Sequence, residues 1–176
     1  MKHFFLTATC IVLFACANQV VEPQTQSDQF QLILIRHAEK ATGTDPGLTE
    51  MGQQRAEFIA RWLGSSTLDS IWSSDYRRTR DTAAPLAQKL ELDISYYDPR
   101  KLQELSQNLI LAHDNTLVIG HSNTTPQLAA ILCECEVDAM DETQYELAYL
   151  IRRTNDQTEL ITIDFTKEWQ DRPAVP

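Results

Sequence analysis

Two histidines and two arginines carry the chemistry that this sequence suggests. Of its four histidines, His3 lies in an apolar leader, and His113 closes a helical stretch where a solvated imidazole near the helix C-terminus is expected. His37 and His121 differ from these. Each follows an apolar run that stops abruptly at polar residues, His37 directly after Arg36 and His121 directly after Gly120. Arg78 and Arg80 fall in the first turns of a helix. Imidazoles beside guanidinium groups suit phosphoryl transfer, which is mostly positioning plus stabilisation of charge on three oxygens. Arginine offers a planar fork for bidentate phosphate contacts, which lysine does not. A neutral imidazole can attack phosphorus and split hydrolysis into two easier steps. Guanidinium charges nearby would keep that imidazole neutral near pH 7.

These groups need a scaffold that gathers distant residues, and the chain alternates strands with helices. Residues 31–36 form a short apolar run that ends at charged residues, as a buried parallel strand does. A helix is expected over 50–63, with Ala56, Ile59, Ala60 and Leu63 inward, Thr49 as N-cap and Gly64 as stop. A strand over 69–73 and a helix over 75–90 follow, with Pro85 expected to kink or break the helix. After a short strand over 92–96, Asp98-Pro99 is expected to start a third helix carrying Leu102, Leu105 and Leu109 on one face. A strand over 115–120 leads to a fourth helix over 123–133, and runs over 146–152 and 158–165 read as a hairpin or adjacent edge strands. Trp62, Trp72 and the pair Tyr96-Tyr97 are expected to pack in the core or on a sheet face. Repeated β–α units imply an α/β fold, a three-layer α/β/α sandwich around a mostly parallel sheet. In such sheets ligands bind beyond the carboxyl ends of the strands, where Arg36-His37 and His121 are expected to lie.

Composition narrows the function classes. The 176 residues include 25 acidic and 15 basic side chains, a formal charge of −10, which argues against a general nucleic-acid binder. The five glycines form neither a GxGxxG nor a GxxxxGK[ST] loop. Met1-Lys2-His3 and the apolar run that follows suit a secretory signal, with too few apolar residues for a membrane-spanning helix. Leu13-Phe14-Ala15-Cys16 resembles a bacterial lipobox, which implies a signal peptide over 1–15 and lipidation of Cys16. Residues 16–29 then form a polar tether with an r.m.s. reach of about 20 Å. The expected location is the periplasmic side of a membrane, more readily the outer one. Cys133 and Cys135 are too few for a zinc site; they either pair or stay as small buried thiols.

Four sequence pieces, in order, resemble the histidine phosphatase superfamily, also called phosphoglycerate mutase-like. They are Leu34-Ile35-Arg36-His37-Ala38, with alanine where glycine is usual; Leu48-Thr49-Glu50-Met51-Gly52; Ser74, Arg78, Thr82 and Ala83; and Gly120-His121. The resemblance implies His37 as nucleophile, His121 as a second imidazole on the transferring group, and Arg36 and Arg78 as phosphate clamps; Arg80 falls outside the pattern and reads as a surface charge. The general acid is expected at Glu39, two residues beyond the nucleophile, with Glu104 on the third helix as the alternative that the mutase-like branch of the family would imply. The implied protein is an exported phosphomonoesterase domain over 30–166, followed by a surface tail over 167–176. It acts on a small phosphorylated substrate with no metal or other cofactor, touches no nucleic acid and meets the membrane through its lipid alone. The other readings are a phosphate-binding lipoprotein without turnover and a metal-dependent hydrolase, the last lacking any HExxH or comparable motif.

Overall fold

The computed structural model describes residues 29–155 and 157–172. The expected signal peptide, Cys16 and nearly all of the tether lie outside the described residues. Six strands form one sheet: β1 (Gln29–Arg36), β2 (Ser70–Ser74), β3 (Ile94–Tyr97), β4 (Thr116–Gly120), β5 (Leu147–Thr154) and β6 (Gln157–Asp164). Their spatial order is β3-β2-β4-β1-β5-β6. The first four run parallel, while β5 pairs antiparallel with both β1 and β6, so the sheet is mixed. The two final runs form a hairpin whose inner strand, β5, joins the sheet through β1 rather than lying at its edge.

Helices cover both faces. Alternation along β1 sends Leu32 and Leu34 to one side and Ile35 to the other. The first side packs against α3 (Leu102–Ala112) and α4 (Thr124–Cys133) through Leu105, Leu109, Leu128 and Leu132. The second packs against α1 (Glu50–Leu63), α2 (Arg77–Leu90) and α5 (Thr166–Gln170) through Ile59, Leu63, Leu86 and Trp169. Each fully buried leucine or isoleucine contributes roughly 1.5–3 kcal/mol by leaving water. Because both faces are covered, the central strands read as continuous apolar runs. The three-layer α/β/α expectation holds.

Several local expectations need correction. Helix α2 continues through Pro85 without a break. Asp98-Pro99 does not open α3; Asp98 Oδ1 accepts from Arg100 N–H at 3.0 Å and its carbonyl from Lys101 N–H at 2.9 Å, which makes a turn before the helix starts at Leu102. Tyr97 is buried, but Tyr96 points into solvent. His113 is exposed at the C-terminal end of α3, as expected, and its ring also stacks on Phe30 with centroids 5.1 Å apart. The expected surface tail contains α5, whose Trp169 is buried against Phe58. Cys133 and Cys135 form a disulfide at the end of α4.

Candidate active site

The site lies where β1 and β4 end side by side. Arg36 pairs with Gly120 in the parallel ladder, and the His37 N–H donates to the Gly120 carbonyl at 3.0 Å. From this edge α1 leaves β1 toward one face of the sheet and α4 leaves β4 toward the other, which opens a crevice. A pocket of about 420 Å³ fills it, lined among others by His37, Arg78, His121, Ser122 and Glu142. A larger cleft of about 630 Å³ between α1 and α2 is lined by Leu48, Glu57, Asp81 and Pro85 among others, and no histidine or arginine borders it.

Spacing in the second motif has a direct structural reason. Ser74 ends β2, and its hydroxyl lies 2.9 Å from His121 Nε2. One helical turn on, Arg78 places Nη2 3.3 Å from His121 Nδ1. One turn further, the Thr82 hydroxyl accepts from the Ala38 N–H at 3.0 Å and donates to the Arg78 carbonyl at 2.7 Å. The strand end and one face of α2 thus hold both histidine loops. Gly52 explains the other motif. A Cβ there would lie 2.2 Å from the Glu39 carbonyl oxygen, so only glycine lets the first turn of α1 rest on the loop after His37. Thr49 N–H donates to that carbonyl at 2.9 Å, while the Thr49 hydroxyl caps the Gly52 N–H at 3.0 Å.

The two imidazoles are wired differently. His37 is 2% exposed, and its Nδ1 lies 2.7 Å from the Ala38 carbonyl, so Nδ1 carries the proton and Nε2 keeps a free lone pair. Burial above all, then the charges of Arg36, His121 and Arg78, push its pKa down to about 3, against the upward pull of the Ala38 hydrogen bond. His121 Nδ1 faces a guanidinium, which can only donate, so Nδ1 accepts and Nε2–H donates to Ser74. Ser74 passes its own proton to Thr79 Oγ1 at 3.2 Å, which in turn donates to the Tyr76 carbonyl at 2.8 Å. Burial, then Arg78 and Arg36, lower His121 to about 4. Both rings are neutral near pH 7. Of the two rings, His37 presents an unengaged nitrogen and His121 does not.

Both expected clamps reach this region, but neither presents an open fork. Arg36 is 3% exposed. Its Nη1 donates to the carbonyls of Asp141 and Gln144 at 3.1 Å each, and its Nη2 to Glu142 Oε2 at 3.1 Å and the Tyr145 hydroxyl at 3.4 Å. The guanidinium also lies 4.1 Å above the Tyr145 ring. Arg78 sits over Tyr76 at 4.6 Å, with Asp45 3.8 Å away. Yet the Nε of each is buried without an acceptor among the described residues. An orphaned buried donor is costly, and one on Arg78 at the pocket wall with another on the residue before His37 suits an anion, although Arg55 Nη1, away from the pocket, is orphaned too. Arg80 pairs with Asp75 on the surface, as its place outside the motif implied.

Glu39 is drawn away from the expected acid role. Its carboxylate accepts from Arg55 Nε at 3.0 and 2.9 Å and from Nη2 at 2.6 Å, and it does not line the pocket. Arg55 is itself buried and also holds Glu146 at 2.8 Å. Glu104 pairs with Lys101 on the exposed side of α3, and it too is absent from the pocket wall. The residues that sequence reasoning missed are Tyr76, Arg100, Glu142 and Tyr145. Tyr76 and Arg100 sit in short turns fixed by near neighbours, whereas Glu142 and Tyr145 belong to a loop whose position depends on Arg36, far along the chain. Among the described residues no group of three or more His, Cys, Asp or Glu side chains could hold a metal ion.

Comparison with known proteins points the same way. Residues 32–107 match the family model described as histidine phosphatase superfamily (branch 1). A curated relative, phosphoserine phosphatase 1 of Hydrogenobacter thermophilus, is 36% identical over 72 residues, covering 36% of this chain and 34% of the relative. The match thus spans about a third of that relative's length. A putative alpha-ribazole-5'-P phosphatase from Escherichia coli shares the fold with a TM-score of 0.64 at 15% identity, over 77% of this chain and 96% of that one. The protein histidine phosphatase SixA, solved with tungstate, gives 0.61 at 18% identity, over 77% and 97%.

Proposed function

Taking the histidine phosphatase superfamily as the family that these matches support, we propose that this chain is an exported phosphomonoesterase acting through a phosphohistidine at His37. One observation carries the reading. The free Nε2 of a neutral His37 opens on the pocket that Arg78 lines, and Arg78 and Arg36, the residue before His37, each hold an unused buried Nε donor. In the proposed mechanism the phosphate of a small ester takes those donors, and Arg78 turns Nη2 from His121 Nδ1 toward a phosphate oxygen. His37 Nε2 attacks phosphorus in line, while Nδ1–H stays on the Ala38 carbonyl and disperses the positive charge that the ring acquires. Water then attacks the phosphohistidine and restores the neutral ring. Charge stabilisation comes from arginine and backbone donors, so the mechanism draws on no metal. Lys40 and Arg100 at the pocket wall favour an anionic substrate.

A relative named as a phosphoserine phosphatase and a neighbour solved with tungstate, a phosphate-shaped oxyanion, support a phosphorylated substrate. Export rests on the lipobox, and the Cys133–Cys135 disulfide supports it, since such bonds persist in oxidising compartments. Rapid quenching with labelled p-nitrophenyl phosphate should trap an acid-labile, base-stable phosphoenzyme in the wild type and none in His37→Ala. Turnover above a few per cent in a folded His37→Ala variant refutes the nucleophile, and phosphate affinity without any turnover favours the binding-protein reading. Intact mass of the mature chain decides the anchor: acyl groups on Cys16 are expected, and their absence removes the lipoprotein part.

A further inference from the structure

Neither glutamate expected from sequence reaches the pocket, but one carboxylate does. Glu142 is the only acidic residue among those lining it. Its Oε1 accepts from the Ser122 hydroxyl at 2.5 Å and its Oε2 from Arg36 at 3.1 Å, while the side chain is 74% exposed. Both oxygens are therefore anchored, while most of the side chain stays accessible from the pocket side and from solvent. The loop that carries it is fixed from within. Arg36 holds the carbonyls of Asp141 and Gln144, Asp141 Oδ1 accepts from the Thr143 N–H at 2.8 Å, and Gln144 Oε1 accepts from the Asp141 N–H at 2.6 Å. Ser122 follows His121 directly, so the carboxylate is tied to the residue beside the second imidazole.

We propose that Glu142 is the proton carrier of this site, protonating the leaving oxygen and later accepting a proton from the attacking water. The proposal rests on the phosphatase reading above. In the free protein the Ser122 hydrogen bond, then the charges of Arg36 and Lys40, hold the carboxyl below its ordinary range, so it is ionised. A phosphate dianion entering beside Arg36 brings like charge and competes for the same guanidinium, and both effects favour the protonated acid. One proton therefore enters with the dianion. As the N–P bond forms at His37, the P–O bond breaks with its electron pair on oxygen, which takes the Glu142 proton and leaves as the alcohol. Water then forms the new P–O bond and the N–P electron pair returns to Nε2. The water proton goes to Glu142, which releases it when hydrogen phosphate departs.

Leaving-group dependence separates this role from a structural one. An alkyl alkoxide needs a proton, p-nitrophenolate hardly does, and general acid catalysis is typically worth about 10² to 10⁴ in rate. In Glu142→Gln the ratio of kcat/KM for a primary alkyl phosphate to that for p-nitrophenyl phosphate should fall about 100-fold or more, with phosphohistidine still trapped at His37. Glu142→Asp should recover part of the ratio, and Glu104→Gln should leave it unchanged. Equal losses on both esters overturn the proposal in favour of a loop that merely orients Arg36. Lower KM and faster turnover on both overturn it too, by showing that the carboxylate obstructs the phosphate site. A leaving-group effect in Glu104→Gln instead also overturns it. A wild type that is inert on both esters and forms no phosphoenzyme refutes the phosphatase reading itself, a failure visible before any variant is made.

Discussion

His37 is buried neutral, and that has a measurable thermodynamic signature. Burial first, with Arg36, His121 and Arg78 adding, lowers its pKa from 6.5 to about 3. Below pH 6.5 the unfolded chain protonates this imidazole, while the folded chain does not until about pH 3. Between those values the unfolded state holds the extra proton, so stability falls as pH falls, by about 1.4 kcal/mol per pH unit. From pH 7 to pH 5 the loss integrates to about 2 kcal/mol, and above about pH 7.5 the contribution vanishes. His37→Gln removes the titration, so this variant should lose about 2 kcal/mol less than the wild type over the same interval. His121 and the carboxylates titrate in both proteins and largely cancel in the comparison. Urea unfolding followed by circular dichroism at the two pH values gives the difference from the midpoints, provided the slopes match. Histidine-selective NMR of the folded protein gives the pKa directly. Equal losses in the two proteins to within about 0.5 kcal/mol, or a His37 resonance titrating near 6.5, would refute the burial argument and with it the neutral nucleophile.

Two further outcomes follow from the surroundings of the site. Arg55 is buried between Glu39 and Glu146, so Arg55→Met should cost about 3 kcal/mol by leaving two partly buried carboxylates without their cation, and Arg55→Lys should cost less than half of that; a Met variant as stable as wild type by urea unfolding would show that the network holds nothing. The Cys133–Cys135 bond closes a loop of sequence separation 2, so a Cys133→Ser, Cys135→Ser double variant should lose only about 1 to 2 kcal/mol, with pocket activity unchanged; a loss above about 4 kcal/mol would mean that the bond does more than constrain the unfolded chain.

Residues set by local rules were legible in the sequence, and those set by distant contacts were not. Apolar runs ending at Arg36 and Gly120 located both strand ends, because a strand covered on both faces must be apolar throughout and its end must meet solvent or a ligand. The Ser74, Arg78 and Thr82 spacing is itself a local rule: Ser74 ends β2, and Arg78 and Thr82 lie one helical turn apart on the face of α2 that holds the two histidine loops. Helix α1 appeared at its actual bounds, since Thr49 and Gly64 mark both ends. Glu142 and Tyr145 carry no such mark. They lie in a loop whose conformation depends on Arg36, more than 100 residues earlier in the chain, and no periodic pattern encodes that pairing. Glu39 shows the same limit from the other side. Proximity in sequence put it beside the nucleophile, but Arg55 in α1 was better placed to claim its carboxylate. Held there by three hydrogen bonds, the Glu39 carboxylate lies away from the pocket, out of reach of a leaving oxygen. Choosing the acid of this site therefore required knowing which carboxylates the scaffold already uses. Arg55 and Lys101 hold Glu39 and Glu104 away from the pocket, whereas Arg36 and Ser122 hold Glu142 at its wall with the side chain 74% exposed.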